Sequence, residues 1–159
     1  MSTRFMDIMA RWQSRIEAIS TANGAHHDIG QSVYVNGLQP VPLDDHNAPL
    51  PSTVLIEPGE VSMSEAAGEV RAATATLDAI FVRDVEVLVI WPMEDGSQWL
   101  QLSEEIGADV RAALFANQVE WRHDGVQRLT QTGQEVTYPE SASMVLAVSL
   151  TFQLRYVET

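Results

Sequence analysis

The chain has 159 residues, 22 of them acidic and 9 basic, for a formal charge of -13; one domain with a sizeable core fits that length, and 45% hydrophobic residues is a globular composition, not a disordered one. All nine basic residues are arginine, and a balance this acidic excludes binding of nucleic acid by phosphate neutralisation and docking on anionic membranes. With no cysteine, disulfides, thiol nucleophiles and Cys-ligated metals are excluded as well.

The first predicted element is a helix. Phe5, Ile8, Met9, Trp12, Ile16 and Ile19 recur at spacings of three and four and so form one apolar stripe. Ser2 or Thr3 can cap its start, and Asn23-Gly24 supplies a left-handed stop. Arg4, Arg11 and Arg15 fall on one line beside the stripe, which makes that edge a candidate pairing surface for acidic groups. A short strand is expected at Ser32–Asn36. Four of the seven prolines then lie within residues 38–52, and each removes a backbone donor and fixes φ, so this stretch is an extended loop. Thr53–Glu57 reads as a strand stopped by Pro58-Gly59, and Glu69–Leu77 as a weak strand.

From Ala79 to Trp91 the alternation of Phe81, Val85, Val87, Val89 and Trp91 with Asp84 and Glu86 predicts a strand. A second helix is expected over Ser97–Asn117, with Trp99, Leu102, Ile106, Val110, Ala113 and Leu114 as its buried stripe. Asp124-Gly125 is a hairpin signal, so Val119–His123 and Val126–Gln131 are expected as two short strands. The last segment carries seven apolar residues at alternate positions, Met144, Leu146, Val148, Leu150, Phe152, Leu154 and Tyr156. Such a strand would extend ~46 Å in a domain roughly 40 Å across, so it must bend or reach a neighbour. The element order favours an α+β fold: a mixed, mostly antiparallel sheet with two main helices on one face and a long C-terminal strand.

The longest apolar runs, Val87–Trp91 and Met144–Val148, are too short to span a bilayer, and the N-terminus lacks a signal-peptide core. Neither a phosphate-binding glycine loop nor a nucleophile elbow is present. The best metal candidates are His26, His27 and Asp28 with Asp44, Asp45 and His46, since imidazole and carboxylate suit zinc, iron or manganese. Their spacing matches no metal signature, and solvated loop residues are the preferred reading. The pairs Glu94-Asp95 and Glu104-Glu105 are sequence neighbours, which does not set two carboxyls across a cleft. Trp12, Trp91 and Trp99 lie on apolar faces and read as core, whereas Trp121, in a short polar hairpin, reads as an interface anchor. The expectation is a protein without catalytic residues, metal or cofactor.

The chain resembles the tail terminator (tail completion) proteins of long-tailed bacteriophages over nearly its full length, 1–159, as a single domain with a Pro-rich loop at 38–52. The resemblance rests on the helix Phe5–Ile19, the region Val54-Leu-Ile-Glu-Pro-Gly59, the strand Val85–Trp91 leading to a helix that ends Asp109-Val-Arg-Ala-Ala-Leu114, and the final strand Leu150-Thr-Phe-Gln-Leu-Arg-Tyr156. It implies a virion protein, assembled in the host cytoplasm, that forms a usually six-fold ring on the head-proximal end of the tail tube. The ring would halt tube polymerisation and present a joining surface. The implied partners are further copies, the tail tube protein, a neck or head-completion protein, and a sheath protein if the tail is contractile, with DNA passing unbound. Expected interface residues are Arg4, Arg11, Arg15, Phe152, Leu154 and Tyr156; expected lumen carboxylates are Asp44, Asp45, Glu94 and Asp95. The alternatives are another neck or head-closure component, or a small metal-dependent enzyme using the two His/Asp loops.

Overall fold

A computed structural model describes residues 3–63, 79–137 and 144–158. The elements, in chain order, are α1 (Arg4–Glu17), β1 (Val33–Val35), β2 (Thr53–Met63), β3 (Ala79–Pro92), α2 (Trp99–Phe115), α3 (Gln118–His123), β4 (Val126–Thr137) and β5 (Val145–Glu158). They form an α+β fold with one five-stranded sheet in the order β1-β2-β3-β5-β4. Only the β1–β2 pair is parallel. Among the described residues no helix is long and apolar enough to cross a membrane.

Thr3 opens α1 by accepting from the Met6 N–H at 3.2 Å, which satisfies one of the orphan donors of the first turn. The apolar stripe then meets the sheet. Ile8, Met9, Trp12 and Ile16 of α1 and Ile106, Val110 and Leu114 of α2 are buried against one face. That face is built from alternate residues of every strand: Val33 and Val35, Val54 and Ile56, Val85, Val87 and Val89, and Leu146 to Tyr156 along β5. The Trp12 ring meets Phe152 edge-on with centroids 5.4 Å apart. Gly30 passes under the end of α1, where a Cβ would lie 2.5 Å from the Glu17 carbonyl oxygen.

Four expectations are corrected here. The long final strand neither projects nor reaches out alone, because β3 matches it residue for residue from Ala79↔Glu158 to Pro92↔Val145, and β4 pairs with its other side. β2 does not stop at Pro58-Gly59 but runs on to Met63 through an irregularity between Pro58 and Val61. Proline ends a central strand because a neighbour needs its N–H; here β1 ends before Pro58, and the outer side is an edge. Val119–His123 is not a strand but lies in α3. Gly125, at φ 85°, is the left-handed residue after that helix, and its N–H bonds the Arg122 carbonyl. Trp121 is accordingly buried and not an exposed anchor, with its Nε1–H donating to the Leu114 carbonyl at 2.6 Å. The expected strand Glu69–Leu77 lies outside the described residues.

The loop 38–52 is tied to α1 at its start. Gln13 and Gln39 exchange side-chain hydrogen bonds at 2.9 and 3.0 Å, and Gln13 also donates to the Val33 carbonyl. Phe152 is fully buried at the meeting of α1 and the sheet. Truncation to alanine should therefore cost about 3–5 kcal/mol, read as a fall in the urea midpoint with unchanged slope. An unchanged midpoint would contradict this packing.

Candidate functional site

The polar residues singled out in the sequence are sorted by the fold into two latches, a set of loop carboxylates and buried core. The first latch uses the arginine line. Arg11 grips Asp124 with two nitrogens, at 2.8 and 3.3 Å, and reaches Glu120 at 3.2 Å. Arg15 bonds Glu120 at 3.1 Å. It also donates to the carbonyls of Ala113, Leu114, Ala116 and Asn117 at the end of α2. Its guanidinium lies over the Trp121 ring, 4.2 Å from the centroid, a cation–π arrangement. A cation here also suits the negative end of the helix dipole. Arg4 donates its backbone N–H to Glu158 at 3.0 Å.

The arginine line is thus no unused pairing surface. Arg11 and Arg15 bind α1 to α3 within the chain, and the Arg15 side chain is only 10% exposed. Phe152, Leu154 and Tyr156 are buried under the chain's own helices. All five residues thus have partners within the single copy.

The second latch uses His26 and His27, in the connection between α1 and β1. Asp109 of α2 is buried and accepts both backbone N–H groups, at 3.0 Å from His26 and 3.1 Å from His27. His26 Nδ1 lies 2.8 Å from Asp109 Oδ1. His27 Nε2 lies 2.7 Å from Glu105 Oε2, and the other Glu105 oxygen accepts from Gln101. The hydrogen bond to Asp109 holds the His26 imidazole protonated to higher pH than a free one. The bonds from Gln101 and then His27 hold the Glu105 carboxyl below its usual range.

Asp28 is spent on the Thr21 N–H and hydroxyl, at 2.7 and 3.0 Å. Asp44 accepts from the His46 and Ala48 N–H groups at 2.8 and 3.0 Å, and those bonds pull its carboxyl below the ordinary range. Asp95 does the same at its own turn, accepting from the Ser97 N–H and hydroxyl, both at 2.9 Å. Among the described residues, no group of three His, Asp or Glu side chains converges to hold a metal.

Two clefts border the second latch. One, of about 580 Å³, lies between the end of α1 and the alanine face Ala108, Ala112, Ala116 of α2. The other, of about 490 Å³, is lined by His27, Trp91, Glu94, Asp95, Gln101 and Glu105. Sequence reasoning missed Asp109, and it read Glu105 only as one of a neighbouring pair, not as the partner of His27. Asp109 carried a signal: it is a carboxylate one residue from Val110 in an apolar helical stripe.

Both latches can be tested by stability. Arg15→Glu would set a carboxylate against Glu120 and four carbonyls, and should destabilise the single copy by on the order of 3 kcal/mol in a urea melt. A stable variant that has lost only self-association would return Arg15 to the interface. His26 is raised in the folded chain, so its contribution is present below about pH 6.5 and is lost as pH rises through the folded value. The stability difference between the parent and His26→Gln should therefore shrink between pH 6 and 8. A difference independent of pH would remove the His26–Asp109 bond from the account.

No family model matches the sequence, and no curated protein matches it. Among solved structures, one chain of the virion of a native gene transfer agent particle is similar over 93% of this chain and 92% of that one, at 15% identity and a TM-score of 0.36. A likeness this distant decides neither family nor function.

Proposed function

We propose that this chain is a structural virion protein of the tail terminator type. Copies close into a ring, six-fold by the resemblance, at the head-proximal end of a tail tube, stop its growth and offer a surface to the neck. The observation that carries the reading is the one-sided sheet. Three strands of 12 to 14 residues lie side by side with the helices on one face, and the part of the second face around Asp84, Gln153 and Arg155 and stretches of both sheet edges stay uncovered by the described residues. A closed ring needs two different surfaces on each copy, and a subunit built this way has them. The order of helix, long strands, helix and long strand agrees with the same reading.

The charge has a role in such a ring. A lumen walled by subunits of charge -13 repels phosphate, so that a genome slides through without being held. The exposed carboxylates Asp44, Asp45, Glu94 and Asp95 are the candidates for that wall. Tail tube and neck proteins are the proposed partners along the axis, with a sheath protein if the tail contracts.

Native mass spectrometry and negative-stain imaging test the ring. The expected result is a closed multimer that forms more readily in moderate salt, because screening relieves the repulsion between acidic copies. A monomer at all concentrations and salts would overturn the proposal. Gel shifts with double-stranded DNA should show no binding at moderate salt; a complex that weakens as salt rises would contradict the lumen reading.

A further inference from the structure

The sheet ends in two different edges. β4 is one edge over its whole length, Val126–Thr137. The other edge is shared, since β1 covers β2 only at Val54–Ile56. From Pro58 to Ser62 the outer side of β2 has no strand beside it among the described residues. Natural proteins blunt long free edges with charge, proline, bulges or a covering element, and the free stretch of β2 carries Pro58 and an irregularity before Val61. β4 has no proline, and the chain has no lysine. Its irregularities fall between Val126 and Arg128 and between Gln131 and Gly133, so Arg128–Gln131 is a regular run.

The two free edges match in height and in sense. The chain of partners Ser62↔Val82, Val82↔Arg155, Arg155↔Arg128 sets Ser62 level with Arg128. The chain Pro58↔Val85, Val85↔Phe152, Phe152↔Gln131 sets Pro58 level with Gln131. Three successive antiparallel pairs make β4 antiparallel to β2. A second copy, rotated about an axis along the strands, therefore brings its Pro58–Ser62 edge beside Arg128–Gln131 in antiparallel sense at the same height; beyond the Gln131–Gly133 irregularity the two strands must diverge, because Gln134–Val136 is level with Val54–Ile56, which β1 covers.

The charges match as well. Arg128 faces Arg155 across the β4–β5 pair, and Glu57 faces Glu86 across the β2–β3 pair. Directly opposed like charges are unfavourable within a sheet. None of the four forms an ion pair among the described residues, although Arg155 donates to Gln127. Burial and the nearby Glu86 raise the Glu57 carboxyl above its ordinary range. Glu60, exposed, adds a further negative charge on the β2 edge.

We propose that copies of this chain join head to tail, the Arg128–Gln131 edge of β4 in one copy pairing as an antiparallel strand with the Pro58–Ser62 edge of β2 in the next. The proposal rests on the ring reading and names the joint. Main-chain hydrogen bonds supply the attraction. Arg128 and Arg155 come beside Glu60 and towards Glu57 of the neighbour, which fixes direction and register. The joint is heterologous, so with a rotation that closes it forms a ring and leaves no free edge of this kind.

Charge exchange tests it. Arg128→Glu sets an opposite charge against Arg155 within one copy, so the single copy stays folded, checked by circular dichroism. Its assembly midpoint should rise at least tenfold in concentration, and the pair E60R/R128E should restore it. As a second arm, S62C/R128C places the only two thiols of a cysteine-free chain on opposite edges. They lie about 14 Å apart within one copy across three strand spacings, too far for an internal disulfide. Mild oxidation should give a ladder of linked copies, with neither single variant doing so. Rings that form normally in R128E, with no ladder, overturn this joint and leave the ring reading standing. A parent chain that stays monomeric overturns both. Protection of the Arg128–Gln131 amides that appears only when another virion protein is added, with no ladder of linked copies, assigns the edge to that protein and overturns self-pairing.

Discussion

β5 is hydrogen-bonded on both sides, to β3 along its whole length and to β4, while every second side chain from Leu146 to Tyr156 is buried beneath α1 and α2. The rest of the molecule follows from that double commitment. Because side chains alternate between faces, one face of the sheet is fixed as core, and on β5 the other carries the polar residues Ser149, Thr151, Gln153 and Arg155, beside apolar neighbours such as Leu88 and Ile90 on β3. A register slip by one residue would exchange the two, so the register is strongly specified. β5 is also the last element of the chain, and its pairing partner β3 lies beyond two helices and β4. The sheet closes only when the whole chain is available, a non-local topology of the slowly folding kind.

The helices are held on the core by polar contacts at separate places. Arg11 and Arg15 join α1 to Glu120 and Asp124, at α3 and the residue after it. His26 and His27 join the connection after α1 to Asp109 and Glu105 of α2. Each contact links elements far apart in sequence. Two buried donors near them, Trp12 Nε1 and Arg15 Nε, have no partner among the described residues, which costs the desolvation of each. These contacts tie the helical side together, and among the described residues the sheet still has unpaired edges.

The sequence made α1, α2, β3 and β5 legible because each shows a clean period over more than ten residues. It did not make α3 legible, since a glycine at positive φ serves a hairpin and a helix end equally. Packing of Trp121 against Arg15 and Leu114 decided between them, and that contact is tertiary. Pro58-Gly59 misled for a related reason: whether proline stops a strand depends on the neighbour it would bond. The arginine line was visible as a pattern, but its acceptors sat in the segment read as a strand, so its partners could not be found. The lengths of β3 and β5 were legible; the length of β4, which runs on to Thr137, and the pairing of the three strands were not.

Residue-resolved hydrogen exchange as concentration is raised tests the assembly account most directly, because main-chain pairing at an edge leaves a protected amide. The account predicts new protection confined to amides in Gly59–Ser62 and Arg128–Gln131, appearing together as multimers form. Multimers whose new protection falls on α1 or α2, with both strand edges exchanging as in the single copy, would contradict it.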